Sequence, residues 1–346
     1  MAAKPPWRPP ETGPEVFEAM AAGVEDVAPD TAALYRRCAV DPCALSLISP
    51  KPTWDAPHRL LAAVRWLVLA GEIEDFETAP DPWSSFRAVL GERGGWVARF
   101  VRERPVQTNE VQRCWALVPI FLTVARLTGR PLDLVELGAS AGLNLLWDRY
   151  RYRYEAGTWG DPAAPLELAG SERQAVPSFL LEAEVEVRGR RGIDLDPVDV
   201  TTEGGLRLLY TFVRDEGYRT RLRLAADVLR ADPPEVMRGD YLDLLPGLLR
   251  ERSDAALTVV YQTLSTVYLS DEQRAKLRTI VDAAGEAGPL AWISTPTPEE
   301  HGQRRGDYPL ELAVWPGGAR RMVARMNVRG EWLEWMGYDS LSLDLR

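Results

Sequence analysis

The residues best suited to chemistry lie in one short stretch. From Pro131 the chain reads PLDLVELGASAGLNLLW. Glu136 closes an apolar run of Leu132, Leu134, Val135 and Leu137. Gly138-Ala139-Ser140-Ala141-Gly142 then makes a turn of small residues, and Leu143, Leu145, Leu146 and Trp147 begin a helix-like apolar cluster. Strand, tight glycine turn and helix is how open α/β sheets hold a ligand, because glycines let the backbone approach and the N–H groups of the helix start point at the bound group. Read as E-x-G-x-x-x-G, the stretch is a nucleotide-type loop. Read as G-x-S-x-G, it is a nucleophile elbow that raises Ser140 for acyl transfer. The plainest reading is a strand-to-helix turn whose small residues serve packing.

Other polar groups fall where strands end. Gly192-Ile193-Asp194-Leu195-Asp196-Pro197 places an acid after a glycine and an apolar residue, a pattern that fixes a ribose diol because one carboxylate accepts from both hydroxyls. Asp240-Tyr241-Leu242-Asp243 is a second strand-to-acid transition, and Gln262-Thr263-Leu264-Ser265-Thr266 follows a strongly apolar strand. Upstream, Gln107-Thr108-Asn109-Glu110 opens a helix, with Thr108 or Asn109 as cap and Glu110 suited to the helix dipole. The same polar start could instead lean over the glycine loop. In Asp148-Arg149-Tyr150-Arg151-Tyr152-Arg153-Tyr154 the period of two separates arginines from tyrosines. A half-buried strand with tyrosines inward is favoured over an anion-recognising wall.

These groups need elements to hold them. Residues 1–14 read as a Pro-rich arm, and residues 15–130 as a helical cap with Pro-containing breaks at Ser49–Pro52 and Ala79–Pro82. No alternating strand pattern precedes Leu132. The domain over 131–346 carries expected strands at Leu132–Leu137, Ala183–Val187, a segment leading to Gly239, Ala256–Tyr261 and Pro289–Ser294. Helices are expected at Leu206–Val213, Tyr218–Ala231 and Asp271–Ala284. Leu310–Trp315 and Arg320–Met326 form an antiparallel hairpin about Pro316-Gly317-Gly318, and Trp332–Met336 reads as a further strand.

Bulk properties narrow the partners. The 346 residues carry a net charge of −10 and a pI near 5.0, which argues against a nucleic-acid backbone as partner. Three cysteines (Cys38, Cys43, Cys114) without C-x-x-C make a disulfide framework or structural zinc site unexpected, and a reducing cytoplasm is the default. The only histidines, His58 and His301, exclude most His-rich metal centres. The opening MAAKPPWRPPETGPE lacks the apolar core of a signal peptide, and Trp115–Leu127 is too short to span a bilayer.

A hydrolase would need Ser140, then an acid (Asp240 or Asp271), then His301. Against it, the residues before the loop read as helical, no HGG-type oxyanion segment precedes it, and too many strands follow His301. The order of glycine loop, ribose-type acid, second acid, apolar fourth strand and hairpin resembles the class I S-adenosylmethionine-dependent methyltransferase fold. Two departures are Ser140 in place of the middle glycine and the distance to Asp194, which makes about 149–183 an insertion. TNEVQR at Thr108–Arg113, ELGASAGLNLLWDRYRYRY at Glu136–Tyr154, GIDLDPVDV at Gly192–Val200 and WPGG at Trp315–Gly318 are similar to the bacterial domain-of-unknown-function family 2332, which is grouped with methyltransferase-like folds.

The resemblance implies a Rossmann-like α/β domain: a mainly parallel sheet with helices on both faces, a C-terminal antiparallel hairpin and an N-terminal helical cap. It implies S-adenosylmethionine over Gly138, Ser140 and Gly142, with Glu136 at the strand end and Asn144 and the loop amides at the methionine end. Asp194 would take the ribose, and Asp240 with Tyr241 the adenine. Asn109, Glu110, Gln262 and Thr263 would face a small-molecule acceptor, Glu110 as base. The readings from other classes are an esterase using Ser140 and His301, and a methyltransferase-like binding protein without catalysis.

Overall fold

The computed structural model describes residues 12–26, 28–48, 53–296 and 307–337. His301, the Ser49–Pro52 break and the first eleven residues of the expected arm lie outside them. The chain divides into two compact units, Met1–Thr108 with Arg207–Arg214, and Asn109–Leu206 with Asp215–Arg346. The division falls at Thr108 rather than near residue 130.

Among its described residues the first unit holds α1 (Gly13–Val24), α2 (Pro29–Val40), α3 (Pro42–Ile48), α4 (Ala56–Leu69), α5 (Pro82–Glu92) and α6 (Gly94–Glu103). Pro29, Pro57 and Pro82 stand in the first turns of α2, α4 and α5, where a missing N–H costs nothing. Thr12 and Glu15 close a capping box on α1, and Asp81 caps α5. Phe17, Tyr35, Leu60, Val64 and Phe86 are buried between these helices. Arg65 meets Glu77 in a two-bond fork (3.2 and 2.8 Å), and the Tyr35 hydroxyl lies 3.0 Å from His58 Nδ1.

The second unit is a mixed α/β fold around a nine-stranded, mostly parallel sheet. Its strands are β1 (Leu132–Leu137), β5 (Ser171–Gln174), β6 (Val187–Asp194), β7 (Glu235–Arg238), β8 (Leu257–Tyr261), β9 (Leu290–Ser294), β10 (Asp307–Trp315), β11 (Arg321–Asn327) and β12 (Trp332–Trp335). A separate small sheet holds β2 (Arg151–Tyr154), β3 (Gly157–Trp159) and β4 (Glu167–Ala169) in the order β3-β2-β4. The large sheet runs β5-β12-β11-β10-β9-β8-β1-β6-β7. From β1 the chain builds outward through β6 and β7, then returns to β8 and β9 on the other side. These five strands are parallel.

The unit's helices are α7 (Arg113–Thr128), α8 (Glu203–Thr211, whose residues from Arg207 belong to the first unit), α9 (Glu216–Ala231), α10 (Tyr241–Arg250) and α11 (Asp271–Ala287). Alternation along β1 sends Val135 and Leu137 into a core with Leu245 and Leu249 of α10 and Leu277 and Val281 of α11. Glu136 points the other way, and on that face Phe121 of α7 meets Tyr261 edge-on at 5.2 Å. Both faces of the central strand are therefore covered.

Three expectations change. The segment after the glycine loop is a 3-10 stretch, Leu143–Arg149, kinked at Leu146, and not an α-helix. Leu143 through Trp147 are all buried, so no polar face exists for a surface helix. Carbonyls that would continue a helix accept instead from tyrosines, Leu143 from Tyr150 and Trp147 from Tyr152, each at 2.7 Å. The tyrosines of the Arg149–Tyr154 run are accordingly inward, and Arg153 is exposed. Second, the strand expected at Ala183–Val187 is Val187–Asp194, because β1 pairs with it from Leu132↔Val187 to Leu137↔Ile193, with one register shift after Leu132. Arg188–Arg191 lie within it, and Arg190 pairs with Asp148. Third, the C-terminal hairpin is only part of a longer arrangement: β10, β11 and β12 form an antiparallel meander, with β5 added parallel at its edge. No helix among the described residues is long and apolar enough to cross a membrane.

Candidate functional site

The order in which the strands are added reverses between β1 and β8, and open α/β sheets bind ligands outside the carboxyl ends of the strands at such a point. Two loops frame it. Among the described residues, the non-glycine positions with left-handed φ are Ser140 (53°) and Leu264 (68°), one on each loop. Such backbone is costly and persists where surroundings over-determine it, often at ligand sites.

The β1 loop spends its amides on the protein. Gly138 and Ala139 donate to the Ile193 carbonyl (2.8 and 3.2 Å), and Gly142 donates to that of Ala139 (2.7 Å). Ser140 N–H donates to Asp194 Oδ2 at 2.8 Å. Ala141 and Leu143 both donate to Asn109 Oδ1, at 3.2 and 3.1 Å. The glycines serve close packing as well: a Cβ on Gly138 would come 2.4 Å from Ser265 Cβ, and one on Gly142 2.9 Å from Val236 Cγ2. The loop is therefore not the cradle of exposed donors that its sequence suggests.

Each expected site residue has a definite setting. Asn109 is not the helix cap; it fixes the loop, while α7 starts at Arg113 with Gln112 before it. Glu136 is 1% exposed and accepts from Asn144 Nδ2 (3.4 Å) and the Tyr261 hydroxyl (3.3 Å). Burial pushes its carboxyl up to about 8, against the pull of those two donors. Asn144 also accepts from the Cys114 thiol at 3.4 Å. Asp194, the last residue of β6, holds Ser140 through Oδ2 and the Asp196 N–H through Oδ1 (2.9 Å). Asp240 caps α10 by accepting from Leu242 N–H at 2.8 Å. Tyr241 follows it, its hydroxyl pushed up to about 12 by burial. Gln262 is tied to Thr295: its Nε2 donates to that carbonyl (3.2 Å) and its Oε1 accepts from the hydroxyl (3.0 Å). The Thr263 carbonyl accepts from Arg113 Nη1 at 3.4 Å.

Glu110 differs from all of these. Its Oε1 accepts from Gln112 N–H (3.1 Å) and Arg221 Nη2 (3.4 Å), while Oε2 has no partner in a residue 1% exposed. Burial raises its carboxyl, and the Arg221 and Arg113 charges oppose that rise. The Tyr218 hydroxyl and Arg221 Nε are buried without partners too. Sequence reading missed Tyr218 and Arg221, which belong to α9, far from Glu110 along the chain. Arg113 was within reach, since it ends the TNEVQR motif.

The structure thus joins Asn109, the glycine loop and Asp194 through direct hydrogen bonds, and Glu136 with Asn144 through another. Asp240 adjoins them through Gly239, whose N–H donates to the Asp194 carbonyl at 2.9 Å. Gln262 belongs to the β8–β9 ends. Of the residues a hydrolase would need, Ser140 is 4% exposed and the Asp271 side chain is 98% exposed, paired with Arg274.

No curated protein matches the chain. The model of one family, described as an uncharacterized protein conserved in bacteria (DUF2332), matches residues 15–335, and the chain belongs to that family.

Proposed function

We propose that the protein is an S-adenosylmethionine-dependent methyltransferase acting on a small-molecule acceptor, with a class I methyltransferase-type Rossmann-like domain. The observation that carries this reading is the commitment of the loop's amides. A dinucleotide or nucleotide ligand needs such donors for its phosphates. Here Asn109, Asp194 and the Ile193 carbonyl hold them, so the crevice favours a nucleoside ligand without phosphate. The strand order β7-β6-β1-β8-β9, with acids ending β6 and following β7, supports the same reading.

The residues fit the cofactor. A carboxylate offers about four acceptor directions, so oxygens of Asp194 that hold Ser140 and Asp196 can also accept from a ribose diol. Leu195, 69% exposed next to Asp194, offers an apolar surface for a base. Asp240 and Tyr241 would serve the adenine side. Of the four groups expected on the acceptor side, Asn109 and Gln262 are spent on the protein, while Glu110 keeps an unpartnered oxygen. When bound, the cofactor supplies a methyl group on a sulfonium, and in-line transfer asks the protein chiefly for positioning.

Calorimetry with S-adenosylmethionine and S-adenosylhomocysteine tests the reading. Folded protein that binds neither at millimolar ligand would remove it. Transfer of label from the methyl donor to a cell-extract pool separates an enzyme from a binding protein. The esterase reading draws on one observation, the left-handed Ser140 at the turn. A serine-reactive fluorophosphonate decides it, since an activated Ser140 labels and a packing residue does not.

A further inference from the structure

Glu110, Tyr218 and Arg221 form a cluster, buried but for part of Arg221, whose polar atoms answer one another only in part. Arg221 reaches Glu110 Oε1 through Nη2 at 3.4 Å, and its guanidinium carbon lies 5.5 Å from the Tyr218 ring centroid. Yet Glu110 Oε2, the Tyr218 hydroxyl and Arg221 Nε all lack partners. Folded proteins pair nearly all such groups, so three unanswered atoms in one cluster ask for a reason.

The chain ties the cluster to the glycine loop. Asn109, beside Glu110, holds the Ala141 and Leu143 amides, and Arg113 holds the Thr263 carbonyl. Arg113 also donates from Nε to the Val328 carbonyl at 2.8 Å, so its guanidinium is turned to backbone oxygens.

The unanswered set has a chemical complement. A carboxylate oxygen accepts from a cationic donor, a guanidinium N–H donates to an anion, and a phenol can do either. A ligand with positive charge alone would face Arg221, and one with negative charge alone would face Glu110. A group carrying both charges on neighbouring atoms satisfies the set. We propose that Glu110, Tyr218 and Arg221 bind an α-amino-acid group, with the ammonium on Glu110 Oε2 and the carboxylate on Arg221 Nε and the Tyr218 hydroxyl. In this role Glu110 holds a charge rather than moves a proton. That chemistry has two sources: the methionine end of S-adenosylmethionine, which rests on the function proposed above, and a free amino acid, which does not.

Calorimetry on the full chain separates the sources. The probes are S-adenosylhomocysteine, 5′-methylthioadenosine, which lacks the amino-acid group, and the standard L-amino acids. If the site holds the methionine end, Glu110→Gln and Arg221→Lys weaken S-adenosylhomocysteine by about tenfold or more and leave 5′-methylthioadenosine unchanged. If it holds a free amino acid, the same variants weaken one of the amino acids and spare both nucleosides. Binding of an amino acid with no nucleoside binding would sustain this site and sink the cofactor reading. Tyr218→Phe guards against misfolding: it removes a hydroxyl that supports nothing in the protein itself, so the melting temperature holds while affinity falls. The proposal is overturned if all three variants bind every probe as the parent does, or if the folded parent binds neither S-adenosylhomocysteine nor any amino acid.

Discussion

Each unit buries a cluster of polar side chains, and the two clusters are finished differently. In the first, Arg65 and Glu77 meet through two hydrogen bonds and Tyr35 meets His58. None of these four residues has a buried side-chain nitrogen or oxygen without a partner. In the second, Glu110 and Arg221 meet at one oxygen, and three atoms of the Glu110–Tyr218–Arg221 group go unanswered. Burial of charge is common to both, so burial alone does not mark a site. A satisfied cluster is explained by the fold it holds together; an unsatisfied one is not.

Removing one partner from the satisfied cluster should cost the most. Arg65→Met leaves Glu77, with a side chain 13% exposed, only the longer contact to Arg214 at 3.8 Å as counter-charge. Stability should fall by about 3–5 kcal/mol, read as a shift in urea midpoint, and a loss below about 1 kcal/mol would dissolve the contrast.

Asp194→Ala comes next, because Asp194 holds Ser140 and Asp196 before it holds any ligand. Expected is a loss of about 2–4 kcal/mol in denaturant unfolding, with a fall in nucleoside affinity of about tenfold or more. Unchanged affinity in the folded variant would mean that the ribose lies elsewhere.

The acid–base behaviour of the units should be opposed. Glu136 sits at about 8 against an ordinary 4.5, so the folded chain keeps a proton that the unfolded chain releases, and its contribution declines as pH rises through that window. His58 is lowered from 6.5 to about 4, by burial and then by the Arg65 charge; the unfolded chain binds the proton first, and stability declines as pH falls through that window. Denaturation midpoints across both windows should flatten on the alkaline side in Glu136→Gln and on the acid side in His58→Gln. A slope unaltered by either change would contradict the assignment.

The smallest effect belongs to the unsatisfied cluster. Tyr218→Phe should leave the ligand-free protein within about 1 kcal/mol of the parent, on the stabilising side, since it deletes a buried hydroxyl with no partner. A clear loss in thermal unfolding would show that the hydroxyl supports the fold after all.

What the sequence could convey follows from how locally each feature is determined. The Leu132–Leu137 strand, the apolar β8 and the Asp271 helix carry their own periodicity and caps, and are legible. The 3-10 stretch after the loop is not, because Tyr150, Tyr152 and Trp159, placed later in the chain, decide how Leu143–Trp147 is covered. The Arg-rich β6 looks unlike a central strand until its register with β1 is known. Asn109 has the form of a helix cap, and only the folded chain reveals that its oxygen goes to the glycine loop instead. Glu110 is legible as an acid beside that loop, but Arg221 lies 111 positions away. The WPGG motif is legible as a turn, yet its role is packing: the Trp315 ring is pressed between Gly285 and Gly318, where an added Cβ would come within 2.3 and 2.4 Å.

The double grip on the glycine loop also makes the loop its own reporter. Its Ser140 amide is held by Asp194 from 54 positions downstream, while Ala141 and Leu143 share Asn109 from 32 and 34 positions upstream. The loop's shape therefore cannot be completed by its own sequence; both distant segments must dock first, and each closure has its own entropy. Deuterium exchange at these three amides would time the two events separately. If the Ser140 amide exchanges faster than those of Ala141 and Leu143, the Asp194 side opens first; equal rates would mean that the loop and both its holders open as one cooperative piece.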